Sequence, residues 1–442
     1  MKFQDAVRFI FGFTNYEFTP LSAATAAALD LERLRALLDR LGNPQKGRRS
    51  VHLTGSKGKG STGRMLAALL SQGGARTGLY TSPHLHSPRE RIMIDGEPIS
   101  EAELTRLVTE LQPHVETENR QRPGAELTTF ELLTALGFLA FREHACDWQV
   151  VEVGLGGRLD ATNVLDDKAL CIFTPISLEH TAILGSTTAA IAGDKAGILR
   201  AGCRTVLAPQ DAEAERVLRE ACAALGVPVA STAAMCTWQS DGLSLDGQQC
   251  EVKTPRGYYR FTLPLLGRYQ VENAATAILG MENLISEGIE LDPAQVAEAL
   301  AGVRWPGRLE LLSRAPLVFV DGAHNAASAA RLAEALVDLC CDRLLWLVVG
   351  TLADKDLAGI VAALAPLAQG VIAVQPAHPR ARPASEIVRA FQEAGVPARE
   401  AKSVSQAVET AKRKAGADGA VCATGSLYVV AEARAHLLGL QP

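Results

Sequence analysis

The stretch Val51-His52-Leu53-Thr54-Gly55-Ser56-Lys57-Gly58-Lys59-Gly60-Ser61-Thr62 decides the fold: a short apolar run, a glycine-rich turn carrying two lysines, then a helix. A helix starting near Gly60 places Met65, Leu66, Leu69 and Leu70 on one face, so that stripe docks on a sheet while the first turn looks outward. Free N–H groups and the positive end of the helix dipole then face whatever fills the turn, which makes an anion site suited to a polyphosphate. The spacing departs from the ordinary phosphate loop, which has Ser or Thr directly after the lysine and a glycine six residues before it. Here those positions are Gly60 and Leu53. The physical parts remain: backbone freedom at Gly55, Gly58 and Gly60, the ammonium of Lys59, and the hydroxyls of Ser61 and Thr62. The competing reading is a surface turn that happens to be rich in glycine.

A chain of 442 residues is long enough for two domains with separate cores. A net charge of −5 indicates neither a nucleic-acid-binding protein nor a polybasic membrane binder, so phosphate recognition has to be local. Asp5 and Arg8 interrupt the apolar residues of the N-terminus, which reads as an amphipathic helix instead of a secretion signal. The apolar run Leu132 to Phe141 is too short to cross a bilayer. The chain is read as cytoplasmic, with no membrane or nucleic-acid partner, and as a monomer. Nine scattered cysteines without a C-x-x-C pair favour neither a disulfide framework nor a zinc site. Cys340 and Cys341 read as core and surface neighbours.

Outward from the loop, helices are predicted at about Phe3 to Phe11 and Leu31 to Leu41, joined by a polar loop. Gly78 to Thr81 is a short strand, and Ser82-Pro83-His84-Leu85-His86-Ser87-Pro88-Arg89-Glu90-Arg91 is either a variable connection or a functional loop. Helices at Glu101 to Asn119 and Thr128 to His144 lead into the strand Trp148 to Val153. Its carboxylate, Glu152, precedes Gly154-Leu155-Gly156-Gly157-Arg158-Leu159-Asp160, where an open parallel sheet binds ligands; a charge facing solvent is the alternative. Leu170 to Pro175 is a strand that places His180 at a second strand end. Glu152, His180 and a loop hydroxyl could form a magnesium shell beside the phosphates, although a lone histidine is usually structural. Lys195 is either a solvated lysine or a second cation in the site.

From Cys203 to about Leu265 short strands are expected, with turns at Asp241-Gly242, Asp246-Gly247 and Arg256-Gly257. A helix follows Gly267, with Asn273 read locally as a cap or an exposed residue. Val303 to Arg308 breaks the helical pattern and opens a second, Rossmann-like βα series with strands near Leu317 to Val320, Leu344 to Val349, Val371 to Val374 and Ala420 to Ala423. The domain boundary is therefore drawn at 302/303. Asp321-Gly322-Ala323-His324-Asn325 ends the first of these strands, and Asp321 either caps the next helix or contacts a ligand.

Taken together, these stretches resemble the folate branch of the Mur ligases, folylpolyglutamate synthase and dihydrofolate synthase, over nearly the whole chain. The likeness rests on Gly55 to Thr62, Thr81-Ser82-Pro83-His84, Glu90 to Ile94, Glu152 to Asn163, His180 with Ile183-Leu184-Gly185, Lys195 to Ile198, Trp305 to Arg308, and Asp321 to Asn325. The resemblance implies an α/β fold: a central P-loop ATPase domain with a mostly parallel sheet (1–302), and a C-terminal Rossmann-like glutamate-ligase domain (303–442). It implies that Gly55, Ser56, Lys57, Gly58, Lys59, Gly60, Ser61 and Thr62 hold ATP, with Asn273, Arg308, Asp321 and His324 as further nucleotide contacts. Ser82, Glu152 and His180 match magnesium ligands, and Lys195 matches a lysine carried as a carbamate. Lys59, His180 and Lys195 are the expected catalytic set. Pro83, His84, Thr128, Thr129, Phe130, Glu131, Leu159, Asp160 and Ala161 match walls of a folate or pteroate pocket, with Asp30 and Leu31 as further candidates. The family usually has Thr-Asn at Ser56-Lys57 and Asp at Glu179; Lys57 adds positive charge beside the triphosphate.

The activity this implies is ATP-dependent ligation of L-glutamate to dihydropteroate or a reduced folate through an acyl phosphate, in the bifunctional form. Three rivals are weighed against it. A muramyl-peptide ligase would not be expected to carry Thr81 to His84 together with Glu90-Arg91. A small-molecule kinase would release no inorganic phosphate, and a non-catalytic nucleotide-binding module would leave Glu152, His180 and Lys195 idle.

Overall fold

The computed structural model describes residues 1–19 and 30–440. By contacts the chain divides into two compact units, Met1–Trp238 with Glu251–Phe261 and Glu272–Val303, and Gln239–Cys250 with Thr262–Val271 and Arg304–Pro442. The second unit thus takes in two earlier pieces that a single cut at 302/303 separates from it.

In the first unit β1 (Arg49–Thr54), β2 (Thr77–Tyr80), β3 (Ile92–Ile94), β4 (Glu97–Pro98), β5 (Trp148–Glu152), β6 (Leu170–Phe173), β7 (Arg204–Leu207) and β8 (Val229–Ser231) form one sheet in the order β4-β3-β2-β5-β1-β6-β7-β8. From β2 to β8 in that order the strands are parallel. β3 and β4 add an antiparallel edge. β5 and β6 are buried along their whole length and β1 after its first residue, as strands covered on both faces must be. The chain leaves β1 first towards β2 and later towards β6. The carboxyl end of β1 therefore lies where the strand order reverses, the place at which open parallel sheets bind ligands. The helix Lys59–Gln72 starts there, and its stripe of Met65, Leu66, Leu69 and Leu70 is buried, as the periodicity predicts.

The early helices occupy Phe3–Phe11 and Glu32–Arg40, and most of the loop expected between them lies outside the described residues. The expected β-rich excursion from Cys203 is wrong in its first half. Val206 and Leu207 complete β7, and Asp211 then caps the helix Ala212–Ala224, which buries Ala214, Leu218 and Cys222 at helical spacing before β8. Only afterwards do β9 (Thr237–Ser244), β10 (Gly247–Lys253) and β11 (Tyr258–Leu263) make a separate sheet, in the order β11-β10-β9. Asp241-Gly242 lies inside β9 and is no turn between strands.

The sheet of the second unit runs β12-β13-β17-β14-β15-β16, with β12 (Glu310–Arg314), β13 (Leu317–Val320), β14 (Leu345–Val349), β15 (Ala368–Ala373), β16 (Ala398–Glu400) and β17 (Ala420–Thr424). All pair in parallel except β12, which is antiparallel to β13. β12 and β16 were not foreseen: they are edge strands, only partly buried, and carry no apolar run. The nine cysteines are all unpaired, with Cys340 buried and Cys341 exposed. Among the described residues no helix is long and apolar enough to cross a membrane.

Candidate active site

Beyond Thr54 the chain turns through Gly55 to Gly58. Gly58 is left-handed, with φ +84°, and a Cβ there would lie 2.6 Å from Oδ1 of Asn273, so this position requires glycine. Asn273 is accordingly buried against the turn, which corrects the local reading of it as a cap or an exposed residue. The amides of Ser56 and Lys57 donate to the Pro175 carbonyl at 2.9 and 3.2 Å. Ser56 Oγ donates to the Ser177 carbonyl and accepts from the Ser177 amide, both at 3.0 Å. The expectation of free N–H groups along the whole turn is thus too generous. An anion is offered the amides of the helix's first turn, which have no intrahelical acceptor, and the lysines. Ser61 and Thr62 are both buried, and Thr62 Oγ1 has no partner among the described residues.

Three lysines share this corner. Lys59 Nζ donates to the Gly55 carbonyl at 3.0 Å and lies 4.0 Å from Glu152 Oε1 at the end of β5. Lys195 Nζ donates to the same carbonyl at 2.9 Å and to Glu179 Oε1 at 3.1 Å, and Lys57 Nζ is 3.8 Å from Glu179 Oε2. Burial alone raises the Glu179 carboxyl, but Lys195, then Lys59, Lys57 and His180, hold it well below the usual carboxylate range. Burial pulls the Lys195 ammonium down, against Glu179 and with help from Lys59. Lys195 is 1% exposed, so of its two readings the solvated one is excluded. Sequence reasoning noted Glu179 only as a departure from a pattern. Its pairing with lysines on two other segments is tertiary.

Register puts Tyr80 beside Val151, so Thr81-Ser82 leave β2 next to Glu152. His180 stands well past the end of β6, exposed, in a left-handed conformation with φ +47°, at the start of the short helix Thr181–Leu184. It is therefore not at the strand end itself. Among the described residues no group of three or more His, Cys, Asp or Glu could hold a metal, so an ion here would draw on hydroxyl or phosphate oxygens as well.

The loop after β5 lies directly on the Lys195 turn. A Cβ on Gly157 would come within 2.8 Å of the Lys195 carbonyl oxygen and 2.9 Å of its Cα, and the Arg158 amide donates to the Asp194 carbonyl at 3.1 Å. Lys168 Nζ, buried, donates to Asn163 Oδ1 at 2.8 Å and to the Ile198 carbonyl at 2.6 Å, and Arg200 adds bonds to Asn163, Gly197 and Leu199. Lys168 and Arg200, which the sequence reading did not name, tie the loop to the segment carrying Lys195.

Of the residues matched to a pterin pocket, several direct their polar atoms inward. Thr128 caps the helix Thr129–Glu143 in a capping box with Glu131, whose other oxygen accepts from Arg33 Nε at 2.7 Å. Thr129 Oγ1 donates to the Ile10 carbonyl, and Asp30 Oδ1 accepts from the amides of Glu32 and Arg33 at the next helix start, with Leu31 packed on the core. His84 Nδ1 accepts from Arg91 Nε at 2.8 Å, and burial, then Arg91 and His86, push this imidazole down to about 3. Asp160 turns its carboxylate into its own loop, accepting from the Leu155 and Thr162 amides at 2.9 and 3.0 Å. Phe130, partly buried with its ring against Gly154, exposed Pro83, exposed Leu159 and buried Ala161 complete the set.

In the second unit Asp321 follows β13 and accepts from the amides of Leu309 and Ala323, each at 2.8 Å. Burial raises its carboxyl and Arg308 opposes this. His324 Nδ1 is 2.8 Å from the Gly322 carbonyl, and the following helix is capped by Asn325, so Asp321 is not its cap.

Residues 53–281 match the Mur ligase middle domain and residues 307–427 the Mur ligase glutamate ligase domain, which sets the class of this α/β protein. The chain is 34% identical to the Bacillus subtilis dihydrofolate synthase/folylpolyglutamate synthase over 442 residues, covering 98% of this chain and 99% of that one. A Mycobacterium tuberculosis folylpolyglutamate synthase solved with ADP and AMPPCP superposes with a TM-score of 0.88 at 36% identity, covering 93% of this chain and 96% of that one. An E. coli FolC in complex with DHPP and ADP gives 0.86 at 26% identity, covering 99% and 98%. The chain belongs to the folylpolyglutamate synthase/dihydrofolate synthase family of Mur ligases, whose members are ATP-dependent ligases.

Proposed function

We propose that this protein joins L-glutamate to the carboxylate of dihydropteroate and of a reduced folate, driven by ATP, as a bifunctional enzyme. The observation that carries the reading is the convergence of the Lys59 and Lys195 ammonium groups on one carbonyl, Gly55 O, at the switch point of the parallel sheet. Fixed cations at that point stabilise charge on a transferring phosphoryl group without reorganising during the reaction. The substrate carboxylate oxygen attacks the γ-phosphorus and ADP leaves. The glutamate amine then attacks the acyl carbon and inorganic phosphate leaves. Lys59 and the first-turn amides orient the triphosphate, and positioning supplies much of the rate.

A magnesium ion fits this donor set. Glu152 offers a carboxylate at a strand end beside the loop, Ser82 follows the neighbouring strand, and Thr62 presents a buried hydroxyl that has no partner among the described residues. Magnesium is commonly held by one or two carboxylates together with substrate phosphates. Bound there, it would neutralise phosphate charge. A carbamate on Lys195 is helped by the depressed ammonium, since the neutral amine is the form that takes up carbon dioxide. It would, however, set an anion against Glu179, which Lys57 and Lys59 would have to offset. Labelled bicarbonate should give a carbamate carbon signal in the wild type and none in Lys195→Ala; equal signals exclude the modification.

Phosphate release is the test of function, measured with dihydropteroate plus glutamate and separately with a reduced folate plus glutamate. Release in both mixtures is expected. Release in one alone removes bifunctionality, and release in neither removes the ligase assignment.

A further inference from the structure

His52 is fully buried within β1, with Nε2 2.8 Å from Thr162 Oγ1 and Nδ1 without a partner among the described residues. Thr162 Oγ1 in turn donates to Asp160 Oδ1, which also accepts the Thr162 amide, while Asp160 Oδ2 accepts the Leu155 amide. The direction of the protons follows from the end of the chain. A carboxylate only accepts, so the threonine hydroxyl gives its proton to Asp160 and must itself accept from the imidazole. His52 is then the tautomer protonated on Nε2, and its partnerless nitrogen is the bare Nδ1, cheaper to bury than an unpaired N–H.

His52 and Thr54 alternate onto one face of β1, and Thr54 Oγ1 donates to the Gly156 carbonyl at 2.8 Å. The strand that opens into the phosphate loop thus grips the 154–160 loop at both ends, at Gly156 directly and at Leu155 and Asp160 through Thr162. We propose that His52 is a positioning residue for the pterin-bearing substrate: through Thr162 and Asp160 it fixes the 154–161 loop against the strand that carries the phosphate loop. This rests on the function proposed above.

Kinetics on the full chain test it with three variants, His52→Leu, His52→Gln and Thr162→Val. Glutamine keeps an N–H donor near the place of Nε2; leucine has none, and valine removes the hydroxyl in the middle. His52→Leu and Thr162→Val should raise KM for dihydropteroate by roughly tenfold, the scale of one lost orienting hydrogen bond, with KM for ATP within about twofold. His52→Gln should recover most of the loss. Equal KM values for dihydropteroate in all variants, or KM for ATP rising in step, overturn the proposal. Hydrogen exchange of the Leu155 amide, followed without substrate, separates the two readings. Faster exchange in His52→Leu and Thr162→Val but not in His52→Gln upholds the chain of bonds even if the wild type turns over no dihydropteroate, in which case the proposed function is what fails. Unchanged exchange, or an Nδ1-protonated His52 by nitrogen NMR, overturns the inference whatever the activity.

Discussion

Both parallel sheets end a strand at a carboxylate beside a glycine turn, and the two carboxylates do opposite work. Glu152 closes β5 with an oxygen 4.0 Å from the ammonium of Lys59, within a cluster where Lys57 and Lys195 lean on Glu179. Asp321 follows β13 and engages both its oxygens with backbone amides, that of Ala323 in its own turn and that of Leu309 just before β12. A lysine counter-charge can be traded for a phosphate, because the flexible amine finds an equivalent partner. A backbone amide bond cannot be traded without undoing the turn. The first carboxylate is held by a side-chain cation and the second by backbone, although both lie at the carboxyl ends of strands, where open sheets bind ligands.

The widest separation between the two ends should come from Lys59→Ala. Removing a fixed cation aimed at developing phosphoryl charge should lower kcat by about a hundredfold to a thousandfold with the melting temperature nearly unchanged. Near-normal turnover would remove the phosphate assignment of the loop. Next comes Glu179→Gln, which leaves Lys195 buried without its partner. Breaking a buried pair in this way costs about 3 kcal/mol. Lys57 and Lys195 then lose the carboxylate they share, so ADP should raise the melting temperature of this variant by more than it raises that of the wild type. An ADP-induced shift equal to that of the wild type would show that Glu179 does not stand in for phosphate.

The contrast explains what could be read in the sequence. The phosphate-loop helix was legible because its apolar stripe has a helical period and its glycines sit where a turn is needed. Glu152 and Lys195 were legible as strand-end and helix-end charges. The partner of Lys195 was not, since a pairing sixteen residues apart, across two short helices, leaves no periodic trace. Nor was the use of the Ser56 and Lys57 amides, because their acceptor, Pro175, comes from another strand end. Asp160, Thr128 and Glu131 were matched to pocket walls through the resemblance, which does not say which way a polar atom points. Here they point into caps and loops. The helix Ala212–Ala224 was lost to the turn signals that follow it, although Asp211 and the spacing of Ala214, Leu218 and Cys222 mark it.

Asp321→Asn sharpens the other half of the comparison. The amide can accept one backbone N–H, but its own NH2 group faces the other donor, at a cost of about 1–3 kcal/mol. Thermal stability should therefore fall, while kcat changes far less than in Lys59→Ala. A collapse of kcat at unchanged stability would show that this carboxylate, too, reacts to a ligand.

The smallest effect is expected at His52, where a titration lies under the first strand end. Burial, then Lys168 and Arg200, hold its imidazole well below the ordinary 6.5. As pH falls below about 6.5, the unfolded chain binds a proton at His52 that the folded protein refuses. More protons on the unfolded state mean stability rising with pH, so this contribution is intact above 6.5 and is lost on acidification, at up to about 1.4 kcal/mol per pH unit. His84, pushed down to about 3, adds a similar slope over the same range. The measurement is therefore a difference: urea unfolding from pH 7 to 5 in the wild type and in His52→Gln, which keeps a donor for Thr162 but has nothing to titrate. The variant should lose less stability on acidification. Parallel curves would mean that His52 takes up its proton while folded.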